Sequence, residues 1–332
     1  MSAGVFTIRE HIIACEHSTN AGEVHLVKLA VKQYLPKDNP APREGDLTII
    51  GAHANGLVKE VYEPFWEEID LGLKRKGRRV RSIWIADVSN QGASGLINDA
   101  LKYNDDPIFA PSATIQMGTM LAKGTLRRRV EWPTRETAQE RFQKTFPGWD
   151  PRVLDRWNKH ALYTPKEQQH LPGPPTRLVT SRFAELIAFI SPTFIYDGKT
   201  DSDKITWTED VLLGHKLLEL IARNTLYICG GLSASAGPEI RQDWLARTGT
   251  GPYLGRRVTK KRVETAVIPR VGHFVPLEDP KACADAAIAW LMDELQGWDE
   301  EEKKIRLSWR DLSPEEKEER AETWMTNLKA KI

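Results

Sequence analysis

Apolar and polar side chains alternate from Phe6 to Cys15 and again from Val24 to Tyr34, with β-branched residues enriched in both stretches. That period of two predicts a pair of strands joined by a turn around Asn20-Ala21-Gly22. After the proline-rich connection KDNPAPREGD the pattern changes, because DLTIIGAHANG is a short continuous apolar run ending in small residues, as in a buried parallel strand. Lys59 to Leu73 spaces its apolar residues at helical intervals with charges between them, and RVRSIWIADV follows as the next buried strand. Strand, helix, strand in that rhythm predicts an α/β sheet with crossover helices.

The rhythm breaks after SGLINDALKYNDDP. From Ile108 to about Pro175 there is no convincing apolar strand; LRRRVEWP and FPGWDPRVLDRW read as short amphipathic helices and irregular linkers, the composition of a lid. It resumes with ITWTEDVLLGHKLLELIAR as a helix-rich piece, NTLYICGG as a strand, PEIRQDWLAR as a helix, RVETAVIPRVGH as a strand and PKACADAAIAWLMDEL as a closing helix. The charged segment LSPEEKEERAETW has Ser313 as a helix cap, Pro314 in the first turn and Glu316 completing a capping box. The expected organisation is one domain over residues 1–298, with a lid at about 108–192, and a charged helical tail over 299–332.

Length and charge narrow the classes of function. A chain of 332 residues can bury a sizeable core, and 47 basic against 46 acidic residues leave no global electrostatic footprint for nucleic acid or an anionic membrane. Cys15, Cys229 and Cys283 are odd in number and lack ligand spacing, so they read as buried fillers in a reducing compartment. No pair of histidines or cysteines has metal-ligand spacing, and no metal or organic cofactor is expected. Arg9, Glu10 and His11 interrupt the apolar core that a secretory signal would need, and no stretch reaches the length of a membrane span. Ala330-Lys331-Ile332 approximates the Ser-Lys-Leu peroxisomal address, and its plainer reading is a chance tripeptide.

The chemistry-bearing residues gather at strand ends. His273 lies in a Gly-His-Phe turn just past a predicted parallel strand, at the sheet edge where ligands and catalytic groups collect; its plainer reading is a cap for the helix beginning near Asp279-Pro280. GAHANG follows the third predicted strand, and its small residues would let the backbone N–H groups of Ala54, Asn55, Gly56 and Leu57 approach an oxyanion, as acyl transfer requires; a simple strand-to-helix turn is the alternative. Gly92-Ala93-Ser94-Gly95 resembles a nucleophile elbow, but Leu96 stands where Gly-x-Ser-x-Gly needs its last glycine, so Ser94 is read against a hydrogen-bonded turn. No serine in the chain has glycine at both positions two away. The Arg-Thr-Gly-Thr-Gly stretch at 247–251 follows a helix rather than a strand, which argues against a dinucleotide loop. The basic run KRKGRRVR suits a solvated helix end better than a phosphate site, and Trp132, Trp149 and Trp157 suit lid packing better than an acyl pocket.

Taken together, DLTIIGAHANG, KEVYEPFWEEI, SIWIADVSNQGASG, NDALKYNDDP, WDPRVLDRW, LYICGGLSASAGPE, ARTGTG and GHFVPLEDP resemble the fungal α/β-hydrolases related to AK-toxin biosynthesis proteins and, more distantly, the yeast peroxisomal lipase-like protein. The likeness covers Phe6 to about Leu295. It implies an α/β-hydrolase fold with a helical lid, a small hydrophobic acyl or ester substrate, and His273 as general base of a serine hydrolase of ester, thioester or lipid type. Because members of such a family often end in a peroxisomal tripeptide, it implies for Ala330-Lys331-Ile332 an import receptor as partner and the peroxisomal matrix, otherwise the cytoplasm, as location. It also implies a strand, elbow, helix and strand between Asn-Asp-Pro and the lid, a unit of at least roughly 30 residues. Here Asp106-Pro107 is followed at once by IFAPSATIQMG, so the resemblance implies that the elbow serine and its central strand are missing. The acid is open too: three residues past Gly230 stands Ser233; Glu239 and Asp243 also read as helix first-turn charges; and in many such hydrolases the acid follows an earlier strand, which the resemblance places inside the missing segment. The alternatives are a catalytically inactive binding protein and a truncated form of a longer enzyme.

Overall fold

The computed structural model describes residues 2–18, 24–99, 115–190, 192–194, 205–207, 217–251, 262–305 and 311–329. The chain divides into two compact units, Met1–Ala286 and Ala287–Ile332. After a short helix α1 (Ser2–Val5), strands β1 (Phe6–Ser18) and β2 (Val24–Pro36) pair antiparallel along their whole length, Phe6 opposite Pro36 and Ser18 opposite Val24. The expected turn between them lies outside the described residues. β2 runs antiparallel to β4 (Val80–Ala86), and β4 runs parallel to β3 (Leu47–Ala52), giving the order β1-β2-β4-β3. A 3₁₀ turn at Lys59–Tyr62 and helix α2 (Glu63–Arg75) connect β3 to β4, as the apolar spacing requires. Pro64 in the first turn of α2 has no N–H to leave unsatisfied, and Trp66, Ile69 and Leu73 form the buried stripe. Gly77 at φ 73° then ends the helix, with the Arg78 N–H returning to the Leu73 carbonyl.

β3 departs from expectation. It is parallel, but its residues alternate in exposure and Ile50 is 84% exposed, because among the described residues no strand lies on its outer side. A second parallel pair, β10 (Thr225–Gly230) and β11 (Val263–Ile268), forms a separate two-stranded sheet among the described residues.

Between the two sheets in sequence come α3 (Gly92–Asn98), α4 (Ile115–Arg127), α5 (Arg135–Thr145), α6 (Pro151–His160) and α7 (Arg182–Ile190). Three strands of two or three residues, β5 (Glu131–Trp132), β6 (Leu162–Tyr163) and β7 (Thr176–Leu178), tie this cap together in the order β5-β7-β6. Strands so short carry no readable period, so the sequence reading found only helices and linkers there. Trp132, Trp149 and Trp157 are buried; Phe146 stacks on Trp149 at 4.1 Å, and Trp157 meets both edge-on. These tryptophans are packing.

The segment expected to be helix-rich from Ile205 instead contributes β9 (Ile205–Trp207), paired with β8 (Pro192–Phe194); Ile-Thr-Trp is a strand-forming triplet and tertiary pairing decides it. Residues 208–216 lie outside the described set. Helix α8 (Pro238–Arg247) follows as expected; a short helix α9 (Val275–Glu278), not expected from the sequence, comes next, and α10 (Pro280–Ile305) starts at the expected Pro280 but runs on past the expected end at Leu295. In the second unit, α11 (Pro314–Lys329) starts with a reciprocal capping box: Glu316 N–H donates to Ser313 Oγ at 3.2 Å and Ser313 N–H to the Glu316 carboxylate at 2.7 Å. Among the described residues, no helix is long and apolar enough to cross a membrane.

Candidate active site

His273 sits where the sequence places it, in the bend between β11 and α9. The ends of β10 and β11 approach so closely that a side chain on Gly230 would overlap the carbonyls of Val271 and Gly272. The Gly231 and Leu232 N–H groups donate to Ile268 and Val271 carbonyls at 2.8 and 2.9 Å, locking the two loops together. Glu278 holds the histidine turn from beneath, its carboxylate accepting from the N–H of Gly272 at 2.6 Å and of Phe274 at 3.1 Å, the residues on either side of His273. The ring itself is exposed, and its Nδ1 lies 3.1 Å from the hydroxyl of buried Ser233. Trp149 of the cap meets Phe274 edge-on at 6.1 Å, and Asp150 N–H donates to the Leu277 carbonyl at 2.9 Å, so the cap bears on the histidine turn.

The other expected residues fall elsewhere. In the 54–57 loop the Ala54 N–H donates to Tyr62 Oη at 3.0 Å, the Gly56 N–H to Gln91 Oε1 at 2.8 Å and the Leu57 N–H to the Ala54 carbonyl at 3.1 Å. Three of the four expected oxyanion donors are therefore engaged inside the fold, a correction that follows from three separate acceptors, the Tyr62 hydroxyl, the fully buried Gln91 amide and the Ala54 carbonyl, lying within the loop's reach. Asn55 clamps the loop through its side chain, to the Glu185 carbonyl at 3.0 Å and to Gln91 at 2.5 Å. Ser94, the weak nucleophile candidate, is buried and hydrogen-bonded at the start of α3, where its hydroxyl donates to the Asp87 carbonyl at 2.9 Å and accepts from the Ala30 N–H at 2.8 Å. Glu239 is exposed in the first turn of α8, and Asp243 pairs with Arg247 on the same helix at 3.3 Å; the side chain at His273 Nδ1 is that of Ser233. Two members of the basic run pair with carboxylates, Lys74 with Asp38 and Asp70 and Arg79 with Asp46, and Arg81 donates to the Arg43 carbonyl.

Sequence reasoning missed a buried ionic layer beneath the GAHANG loop. Lys59 Nζ lies 2.6 Å from Asp87 and 3.0 Å from Glu60; Lys32 lies 3.2 Å from Glu60; and Arg156 lies 2.7 Å from Glu63, which also accepts from Tyr34 Oη at 3.0 Å. Asp87 accepts two further N–H groups, from Lys59 and Ala93, and His53 stands 3.9 Å away. Burial alone would raise Glu60, but the ammonium groups of Lys59 and Lys32 hold it at about 2. Burial likewise works against the Lys59 ammonium, and Glu60 and Asp87 outweigh it to raise that group. The signal was present in sequence as charges at Lys59, Glu60 and Glu63 within an otherwise apolar stripe. Among the described residues no group of three or more histidines, cysteines or carboxylates is placed to hold a metal ion.

A mixed sheet flanked by helices, with a histidine turn at the carboxyl ends of two parallel strands, defines the class of α/β-hydrolases. The peroxisomal alpha-beta-hydrolase Lpx1 from Saccharomyces cerevisiae has the same fold, with a TM-score of 0.66 over 98% of both chains at 12% identity. No family model matches the chain. The abhydrolase domain-containing protein AFT2-1 of Alternaria alternata is 36% identical over 232 residues, covering 68% of this chain and 87% of that protein. The chain therefore belongs to the α/β-hydrolase family, among the fungal abhydrolase domain-containing proteins. The type I acyl-CoA thioesterase mpaH' of Penicillium brevicompactum is 26% identical over 400 aligned positions, covering 92% of each.

Proposed function

We propose that this protein is built to hydrolyse a small hydrophobic ester or thioester with His273 as general base, and that this form of the chain lacks the nucleophile. The observation that carries the first half is the exposed imidazole at the ends of β10 and β11, held at Nδ1 by Ser233 with Nε2 left for chemistry. A base so placed takes the proton of a hydroxyl as its oxygen attacks the acyl carbon, then gives it to the departing alkoxide or thiolate; water repeats the sequence on the acyl ester. Thioester chemistry is supported by the names of the Penicillium relatives, and a fungal secondary-metabolite setting by the resemblance to toxin-biosynthesis hydrolases. Of the four backbone N–H groups of the 54–57 loop, the oxyanion role is assigned to that of Asn55, because those of Ala54, Gly56 and Leu57 are engaged inside the fold.

The second half rests on different observations. No serine has the elbow spacing, the Ser94 hydroxyl is doubly engaged, and the Pro107–Ile108 junction, which lies outside the described residues, leaves no length for an elbow unit. The alignment with mpaH' runs over 400 positions yet draws on 92% of a 332-residue chain, so many of those positions pair with no residue here. These favour a second reading, in which this form binds an acyl ligand without turnover and a longer form is the enzyme. Serine-reactive phosphonate labelling separates them. The 332-residue form is expected not to label, and a form carrying any segment that the native transcript encodes between Pro107 and Ile108 is expected to label and to lose thioester turnover on His273→Ala. Labelling of the present chain at any serine would overturn the missing nucleophile; turnover in the longer form surviving His273→Ala would overturn the base.

Residence in the peroxisomal matrix is part of the proposal, supported by the name of the yeast structural neighbour and by Ala330-Lys331-Ile332, which lie outside the described residues. A fluorescent fusion placed ahead of the chain is expected to become punctate and to turn diffuse when those three residues are deleted.

A further inference from the structure

We infer that Ser233 is the positioning residue of His273, holding Nδ1 with a neutral hydroxyl where a base would ordinarily be oriented by a charge. The inference deepens the reading of His273 as a base and rests on it. Ser233 is itself fixed: its side chain is buried, its N–H donates to the Gly230 carbonyl at 3.1 Å, and its carbonyl accepts from the Ala236 N–H at 3.2 Å. The close approach of Gly230 to Gly272 sets the spacing between the two loops, so the hydroxyl meets the ring without either side chain having to search for the other.

The nearby charges are committed to other tasks. Glu278 accepts from the backbone on both sides of His273, and Asp279 accepts from the Ala282 N–H at 2.8 Å as the cap of α10. Arg270, at φ 61°, is exposed in the turn before the histidine. Among the described residues no carboxylate reaches Nδ1.

A hydroxyl at Nδ1 has a consequence that a carboxylate does not. A carboxylate only accepts, so it fixes the proton on Nδ1, leaves Nε2 as the base and stabilises the imidazolium once formed. A hydroxyl can accept from Nδ1–H or donate to bare Nδ1, and a neutral bond is roughly half as strong as a charge-assisted one. Ser233 therefore orients the ring while leaving both tautomers accessible, Nε2 as acceptor in one and as donor in the other.

Two-bond 1H–15N correlation spectra of the full chain read the His273 tautomer and its titration midpoint with no substrate present. In Ser233→Ala the tautomer populations are expected to shift from those of the wild type, and Ser233→Thr, which keeps the hydroxyl, to restore them. Ser233→Asp is expected to lock the Nδ1–H form and to raise the midpoint by about one unit or more, as an adjacent opposite charge does. Ring signals in Ser233→Ala that superimpose on the wild type, or a midpoint unmoved by Ser233→Asp, would overturn the inference. Because the readout needs no turnover, a chain that proves catalytically silent can still carry this contact, and a failed contact leaves the hydrolase reading to its own test.

Discussion

Lys59 donates into Asp87 and Glu60 at the bottom of the loop that follows β3, all three side chains buried. Removing one member leaves a carboxylate without its counter-charge in a place water does not reach, so Lys59→Met is expected to cost about 3–5 kcal/mol, read as a fall in the urea midpoint. His160 makes a pH-dependent prediction. Burial pushes its imidazole from the ordinary 6.5 down to about 4, with Glu60 opposing only in part. The unfolded chain takes up a proton that the folded chain refuses, so this contribution is full above 6.5 and lost as pH falls through 4. Stability measured between those values is expected to fall with acidity, and His160→Gln to flatten the slope. At this scale the sequence was only partly readable. His273 stood out because glycine, histidine and a strand end coincide, whereas Lys59 and Glu60 were only charges between apolar positions, because a charge in a stripe does not announce its counter-charge two elements away. Ser233 was legible as a position counted from Gly230, but its contact with the imidazole depends on the approach of two strands distant in sequence.

The β1–β2 hairpin, α2 and the closing helix were readable from period, since each is long enough to repeat its pattern, and β3 and β4 from short continuous apolar runs flanking α2. The cap was not: β5, β6 and β7 are held by pairing and by the aromatic cluster around Trp157 rather than by local preference. Trp157→Ala is expected to cost about 3–5 kcal/mol, measured by equilibrium unfolding, because that ring touches Phe142, Phe146 and Trp149 together. Since Trp149 also meets Phe274, loosening the cluster should broaden the His273 ring signals as well. Gly230→Ala acts on the other side of the same turn. Its added carbon would collide with backbone rather than with a flexible side chain, so the β10 and β11 loops must part, and the expected result is loss of the Ser233–His273 contact with β1–β4 intact by circular dichroism.

For the whole molecule, the family was legible because ordered segments survive on both sides of the lid, while the paired sheet was overread from the apolar run at β3. A run of Leu-Thr-Ile-Ile suits a strand covered on both faces, yet here Ile50 faces outward at the margin of the described sheet. Ile50→Lys is expected to change stability by less than about 0.5 kcal/mol and to lower the light scattering of concentrated solutions, because a charge on an exposed edge blocks pairing between chains. The edge that β3 leaves unpaired among the described residues bears on the life of the protein in its cell. A polypeptide that displays a ready template for intermolecular pairing is held by chaperones and retired by proteases, so the amount of this form at steady state is expected to be set by its turnover more than by its rate of synthesis.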